Sequence, residues 1–161
     1  MIVIADTGPV NYLILIGEIE VLPKLYGRIL VPPAVCTELK RLHAPDPVRL
    51  WIAKPPPWLE TRAPRQAPDA ELLKARLDAG ERDAILLAQE LGADSLIIDE
   101  RRGRREAERR HLHFTGTLGV LRTATKEGLL DFKSAVDRSR LASGKAALLS
   151  RDAPFQARRR H

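Results

Sequence analysis

Short apolar runs alternate along this chain with segments whose apolar residues recur at helical spacing. Ile2-Val3-Ile4-Ala5 is a continuous apolar run stopped by Asp6-Thr7-Gly8-Pro9, the pattern of a buried strand followed by a turn. Val10 to Gly17 is apolar and suits a helix, and from Gly17 to Tyr26 the residues Ile19, Leu22, Leu25 and Tyr26 keep close to helical spacing. Arg28 to Val31 reads as a second strand. Pro32-Pro33 then opens a helix, because proline's missing N–H is no loss in a first turn; Val35, Leu39 and Leu42 form its apolar face. From Pro45 to Pro68 proline is dense. A short helix near Val48–Ala53, a strand near Trp58–Arg62 and a loop fit there, the prolines marking either a mobile flap or pinned irregular connections. Asp69 to Leu77 is helical and Gly80 interrupts. Glu81 to Leu91 carries Ile85, Leu86, Ala88 and Leu91 at helical spacing until Gly92 closes it. Ser95-Leu96-Ile97-Ile98 is a buried strand ending at Asp99. Arg101 to His111 is a very basic helix, His113-Phe114 a short strand, and Gly116-Thr117 the start of a helix that runs to Glu127 and closes at Gly128. Asp131–Ala142 and Lys145–Leu149 are further helices, and Arg158-Arg159-Arg160-His161 reads as a frayed tail.

Apolar strands alternating with helices predict a parallel α/β sheet covered on both faces. The length of 161 residues fits one domain. Sheets of this kind bind ligands in the crevice beyond the carboxyl ends of their strands.

Composition adds a partner class. Lys and Arg number 27 against 21 Asp and Glu, for a net charge of +6, and a basic domain of this size favours a polyanion such as nucleic acid. The single cysteine, Cys36, excludes an internal disulfide and reads as a buried structural thiol. The N-terminus lacks the basic region of a signal peptide, and the apolar stretch Val10–Gly17 is too short to span a bilayer, so a cytoplasmic, membrane-free protein is expected.

The two clearest strands each end in an acid, Asp6 and Asp99. In a parallel sheet both carboxylates emerge at the edge where such folds build their sites. Either residue alone reads as a helix cap. The pair, with more acids nearby, points to function. Glu38 lies on the helix after the second strand and Glu81 opens the helix that leads into the Asp99 strand; alone, each reads equally well as a surface residue or a favourable dipole contact. Clustered carboxylates in a partly dry cleft tolerate one another only with a cation or with raised pKa values. All-oxygen ligation suits Mg2+ or Mn2+ rather than Zn2+. A metal there can bind a phosphate oxygen and lower the pKa of water.

At these residues the chain resembles the PIN-domain superfamily, in particular prokaryotic nucleases akin to the toxins of toxin–antitoxin pairs. The matching pieces are Ile4-Ala5-Asp6-Thr7-Gly8-Pro9, Val31 to Leu39, Gly80-Glu81-Arg82-Asp83-Ala84-Ile85-Leu86-Leu87-Ala88, Leu96 to Arg105, and Gly116-Thr117-Leu118-Gly119-Val120-Leu121. Their order and spacing carry the resemblance over most of residues 1–130. It implies a three-layer α/β/α fold with a central, mainly parallel sheet over residues 1–150, followed by a basic tail at 151–161. It implies Mg2+- or Mn2+-dependent cleavage of RNA, with catalytic and metal-binding acids at Asp6, Glu38, Glu81 and Asp99. The family's third acid is usually Asp; Glu81 holds that place here, with Asp83 a substitute two residues on. Thr7 resembles the small hydroxyl residue that often follows the first acid. The resemblance further suggests a homodimer and a small antitoxin protein that inhibits by occupying the site.

In the basic run after Asp99, Arg101 and Arg102 stand nearest the acids and are the candidates for holding RNA phosphates, while Arg109 and Arg110 are expected to be solvated surface. Aromatics make up 4%, too few for base-stacking platforms, and Trp51 and Trp58 read as cover for a core edge or an interface. His111 and His113 lack the neighbours of a zinc site. Asp6-Thr7-Gly8 also matches the aspartic-protease motif, but that fold is mainly β. Gly144-Lys145 lacks the remainder of a phosphate loop. The competing reading is an inactive PIN-like module that binds RNA or protein without cutting.

Overall fold

The computed structural model describes residues 1–143. The expected helix at Lys145–Leu149, the domain boundary at residue 150 and the basic tail lie outside the described residues. Among those described, five strands form one sheet in the order β3-β2-β1-β4-β5, and every pairing is parallel. The strands are β1 (Val3–Ala5), β2 (Ile29–Val31), β3 (Leu59–Thr61), β4 (Ser95–Ile97) and β5 (Phe114–Thr115). The all-parallel sheet excludes the aspartic-protease reading.

Side-chain alternation divides the sheet into two dry faces. Val3, Ala5, Ile29, Val31 and Ile97 point to one face, covered by α1 (Thr7–Leu15), α2 (Val21–Tyr26), α3 (Pro33–Leu39), α4 (Asp46–Ala53), α8 (Thr117–Lys126) and α9 (Phe132–Ser143). Ile4, Leu30, Leu96 and Ile98 point to the other, covered by α5 (Ala70–Lys74), α6 (Ala79–Leu91) and α7 (Arg101–Arg109). Both faces being apolar explains why β1, β2 and most of β4 read as continuous apolar runs, while the edge strands β3 and β5 do not. The result is the three-layer α/β/α architecture.

This topology makes the site. From β1 the chain steps outward to β2 and β3, then returns to place β4 on β1's other side, with Val3, Ile4 and Ala5 in register with Ser95, Leu96 and Ile97. After β1 it enters α1 on one face, and after β4 it enters α7 on the other. The carboxyl ends of β1 and β4 therefore flank the topological switch point, where parallel sheets leave a crevice. Asp6 follows β1, its N–H donating to the Ile97 carbonyl at 3.0 Å, and Asp99 stands just beyond β4.

Several local expectations shift. The helix expected from Val10 begins at Thr7, with Pro9 still in its first turn. Gly17 adopts φ +73 and splits the following segment, so only Val21–Tyr26 is helical. Leu42 lies beyond the end of α3 and is 89% exposed, not on an apolar face. The segment at Asp69–Leu77 is helical only to Lys74, with Asp69 capping it by accepting from the Leu72 N–H at 2.8 Å. Gly80 does not interrupt; it sits in the first turn of α6. Cys36 is half-buried, its sulfur 3.4 Å from the Thr61 hydroxyl. Trp51 and Trp58 pack on each other, ring centroids 5.8 Å apart, against the first core.

Arg110 corrects the surface expectation. Its guanidinium reaches Glu106 at 3.0 Å, Asp69 at 2.7 Å and Gln89 at 2.8 Å, joining α7, the cap of α5 and α6. Glu106 is itself buried and Arg110 is its nearer partner; Arg109 touches it only at 3.5 Å. Removing one member of a buried ion pair strands the other. Arg110→Met is expected to lower stability by on the order of 2 kcal/mol in urea unfolding, and Arg109→Met by less than about 0.5 kcal/mol. Equal small losses would show that Arg110 is ordinary surface.

Candidate metal centre

Asp6 occupies the N-cap position of α1, yet its side chain caps nothing. The residue is 3% exposed, and Oδ1 has no hydrogen-bond partner. Helix capping, the ordinary explanation for an acid after a strand, therefore does not account for it. Burial lifts the Asp6 carboxyl well above the usual carboxylate range, and the charge of Glu81 adds to this. The Thr7 backbone amide opposes the shift, while Glu38 and Asp99 push in the same upward direction. All four acids of the expected cluster thus lie within electrostatic reach of one carboxylate.

Glu81, in the first turn of α6, is 6% exposed. Burial raises it to about 7, with further pushes from Glu100, Asp78 and Glu38 and an opposing pull from Arg102. α6 runs back toward the start of β4, so its N-terminus lies at the carboxyl edge of the sheet and brings Glu81 there. Asp83 instead pairs with its neighbour Arg82 at 2.9 Å. Of the two acids considered for the third place, Glu81 is the one beside Asp6.

Glu38 and Asp99 are held differently, and alike. Glu38 Oε2 accepts from the Thr7 hydroxyl at 2.5 Å and Oε1 from the Gly80 N–H at 2.9 Å. Asp99 Oδ2 accepts from the Thr117 hydroxyl at 2.5 Å and Oδ1 from the Thr117 N–H at 2.7 Å. In each case a threonine hydroxyl and an amide in the first turn of a helix clamp the carboxylate, a place where the helix field favours negative charge. The hydroxyl of Thr7 is thus engaged with Glu38. Thr117 and Gly80 were missed as site residues. A Cβ on Gly80 would fall within 3.0 Å of both Glu38 oxygens and Thr7 Oγ1, so the glycine is required by the approach of the acid. The sequence carried the signal in Gly80-Glu81 and Gly116-Thr117, each standing at a helix start.

Arg101 and Arg102 are exposed on α7, Arg102 close enough to Glu81 to lower it. Arg104, not singled out from the sequence, stands nearer still to Asp99, with Nη2 3.8 Å from Oδ1.

The donor set is anionic and all oxygen, as a hard divalent cation prefers. Among the described residues no group of three or more His, Cys, Asp or Glu side chains is already arranged to hold an ion. Glu38 and Asp99 face their own donors, while Asp6 keeps one buried oxygen without a partner. Asp6, Glu81, Glu38 and Asp99 fit such an ion in chemistry, the unpartnered Asp6 oxygen most directly.

The raised acids set a pH dependence. Between the ordinary Glu value of 4.5 and the folded value of about 7, the native state binds a proton at Glu81 that the unfolded state has released. Stability therefore falls as pH rises through that window. In chelator, wild type is expected to lose on the order of 3 kcal/mol relative to Glu81→Gln between about pH 5 and pH 8. Urea unfolding of both proteins across that range measures it; parallel profiles would contradict the burial of an ionisable Glu81.

No curated protein matches the chain. A family model described as a PIN domain matches residues 2–141, the span that contains all five strands and all four acids. With that match and the three-layer parallel fold, the chain belongs to the PIN-domain family, whose members are generally nucleases.

Proposed function

We propose that the protein is a metal-dependent endoribonuclease that hydrolyses RNA phosphodiester bonds, with Asp6, Glu38, Glu81 and Asp99 holding Mg2+ or Mn2+. The observation that carries this reading is the buried Asp6 carboxylate with an unpartnered oxygen, beside Glu81. Two such acids destabilise an empty fold and gain most from a cation. When bound, the ion supplies a water of lowered pKa and electrostatic stabilisation of a phosphate's developing charge.

The protein's own groups do the rest. Thr7 and the Gly80 amide hold Glu38, and Thr117 holds Asp99, so neither carboxylate must reorganise as charge arrives. Burial keeps bulk water from Asp6. Arg101 and Arg102, exposed on the basic α7 beside the acids, attract the phosphate backbone. The net charge of +6 extends that attraction around an anionic pit. Hydrolysis at a cytoplasmic RNA, pairing into a homodimer and inhibition by an antitoxin protein complete the proposal; these rest on resemblance to toxin nucleases. No helix among the described residues is long and apolar enough to cross a membrane.

One observation favours the alternative, a module that binds RNA or a protein without cutting: Glu38 and Asp99 are already satisfied within the protein. The two readings separate on a panel of structured and unstructured RNAs with Mn2+ or Mg2+. Cleavage is expected to vanish in EDTA and to fall at least about 100-fold in Asp6→Asn and in Asp99→Asn. Mn2+ at pH 8 is expected to raise the melting temperature of wild type and not of Asp6→Asn. RNA binding without cleavage, and without metal stabilisation, would establish the module instead.

A further inference from the structure

Arg104 carries more than charge. Its Nε donates to the Ile98 carbonyl at 2.9 Å, the last backbone acceptor before Asp99. Its guanidinium lies over the Phe114 ring of β5, 5.9 Å from the centroid. Nη2 stands 3.8 Å from Asp99 Oδ1, and the side chain is 28% exposed, unlike its neighbours Arg101 and Arg102, which stand in solvent. At the N-cap of α8, Gly116 leaves room for it. A Cβ there would fall within 3.0 Å of Arg104 Nη2 and lie 2.7 Å from Asp99 Oδ1. One planar group thus bridges α7, the end of β4, β5 and the start of α8, with Asp99 in the middle. A lysine could not reproduce this, having neither the Nε donor nor the flat face.

We propose that Arg104 is a positioning residue for Asp99, and that Gly116 is the slot that admits it. By tying the Ile98 carbonyl to α7, Arg104 keeps the strand end from turning away. Its guanidinium then confines the Asp99 carboxylate against the Thr117 hydroxyl and amide. The inference adds a residue to the site of the proposed nuclease and rests on that reading only for its consequence in metal binding.

Two predictions distinguish positioning from mere charge. The first needs no metal. The Thr117 amide donates to Asp99, so its hydrogen exchange reports where the carboxylate stands. In Arg104→Met it is expected to exchange at least about tenfold faster than in wild type, and in Arg104→Lys to a lesser degree. The Gly80 amide, bound to Glu38 on the far side of the site, serves as the internal control and is expected not to change. Gly116→Ala, whose methyl would press on both Arg104 and Asp99, is expected to accelerate exchange as well, and to add less in the Arg104→Met background than in wild type, because the share that acts through Arg104 is already lost. An unchanged Thr117 amide in Arg104→Met, or equal acceleration at Gly80, would overturn the proposal.

The second uses Mn2+ alone, titrated by calorimetry. Losing a nearby positive charge would by itself tighten the ion's binding. Positioning predicts the opposite, a loss of about tenfold in Arg104→Met, as for other groups that orient metal ligands. Tighter binding would overturn the proposal. If wild type binds no Mn2+, the nuclease reading fails, and the Thr117 exchange still decides the role of Arg104.

Discussion

A carboxylate sealed at the carboxyl end of the sheet's central strand, with one oxygen that no protein donor reaches, is the constraint around which this molecule is arranged. Asp6 is forced into that place by β1, whose three residues are fully buried and whose backbone pairing continues into Asp6 itself. The apolar strand drags the acid below the surface, and the core on both faces makes it costly to move out. A carboxylate there either takes a proton or takes a cation. The proximity of Glu81 makes both outcomes matter, since the two cannot easily be ionised together without one.

The remaining acids show how a fold can gather like charges without flying apart. Glu38 and Asp99 are each clamped by a threonine and by a helix amide, and those helices, α6 and α8, point their N-termini at the same edge because parallel topology requires it. Glycines at 80 and 116 permit the close approach. Two carboxylates held in place therefore stand beside two whose charge burial disfavours, one of them with an unpartnered oxygen. That division is a familiar trade of stability for function. Away from the site, Arg110 shows the same chemistry used for structure alone, matching the buried Glu106.

Much of this was legible in the sequence, for identifiable reasons. The short apolar runs Ile2–Ala5 and Leu96–Ile98 read as strands buried on both faces, and an acid directly after each then surfaces at one edge. The strand order was not legible, because it depends on which apolar faces meet. The same holds for the difference between Arg110, which is nearly buried, and Arg109, which is not: their neighbours in sequence are alike, and only the fold puts Asp69 and Gln89 beside one of them. Glu81 against Asp83 was likewise undecided by spacing. The rotation of α6 puts Glu81 toward Asp6 and leaves Asp83 with Arg82. Leu42 misled because helical spacing continues past the point where the helix stops.

Whether Asp6 and its neighbours form the cation site of the proposed nuclease is decided by counting protons. Mn2+ is titrated into the protein near pH 7 by calorimetry in two buffers of different ionisation enthalpy, for wild type and Asp6→Asn. Wild type is expected to bind Mn2+ and to release a fraction of a proton, since Glu81, which burial raises to about 7, must be fully ionised to become a ligand. Asp6→Asn is predicted to bind at least about 100-fold more weakly. Undiminished binding by Asp6→Asn, or binding by wild type with no proton released, would contradict that site.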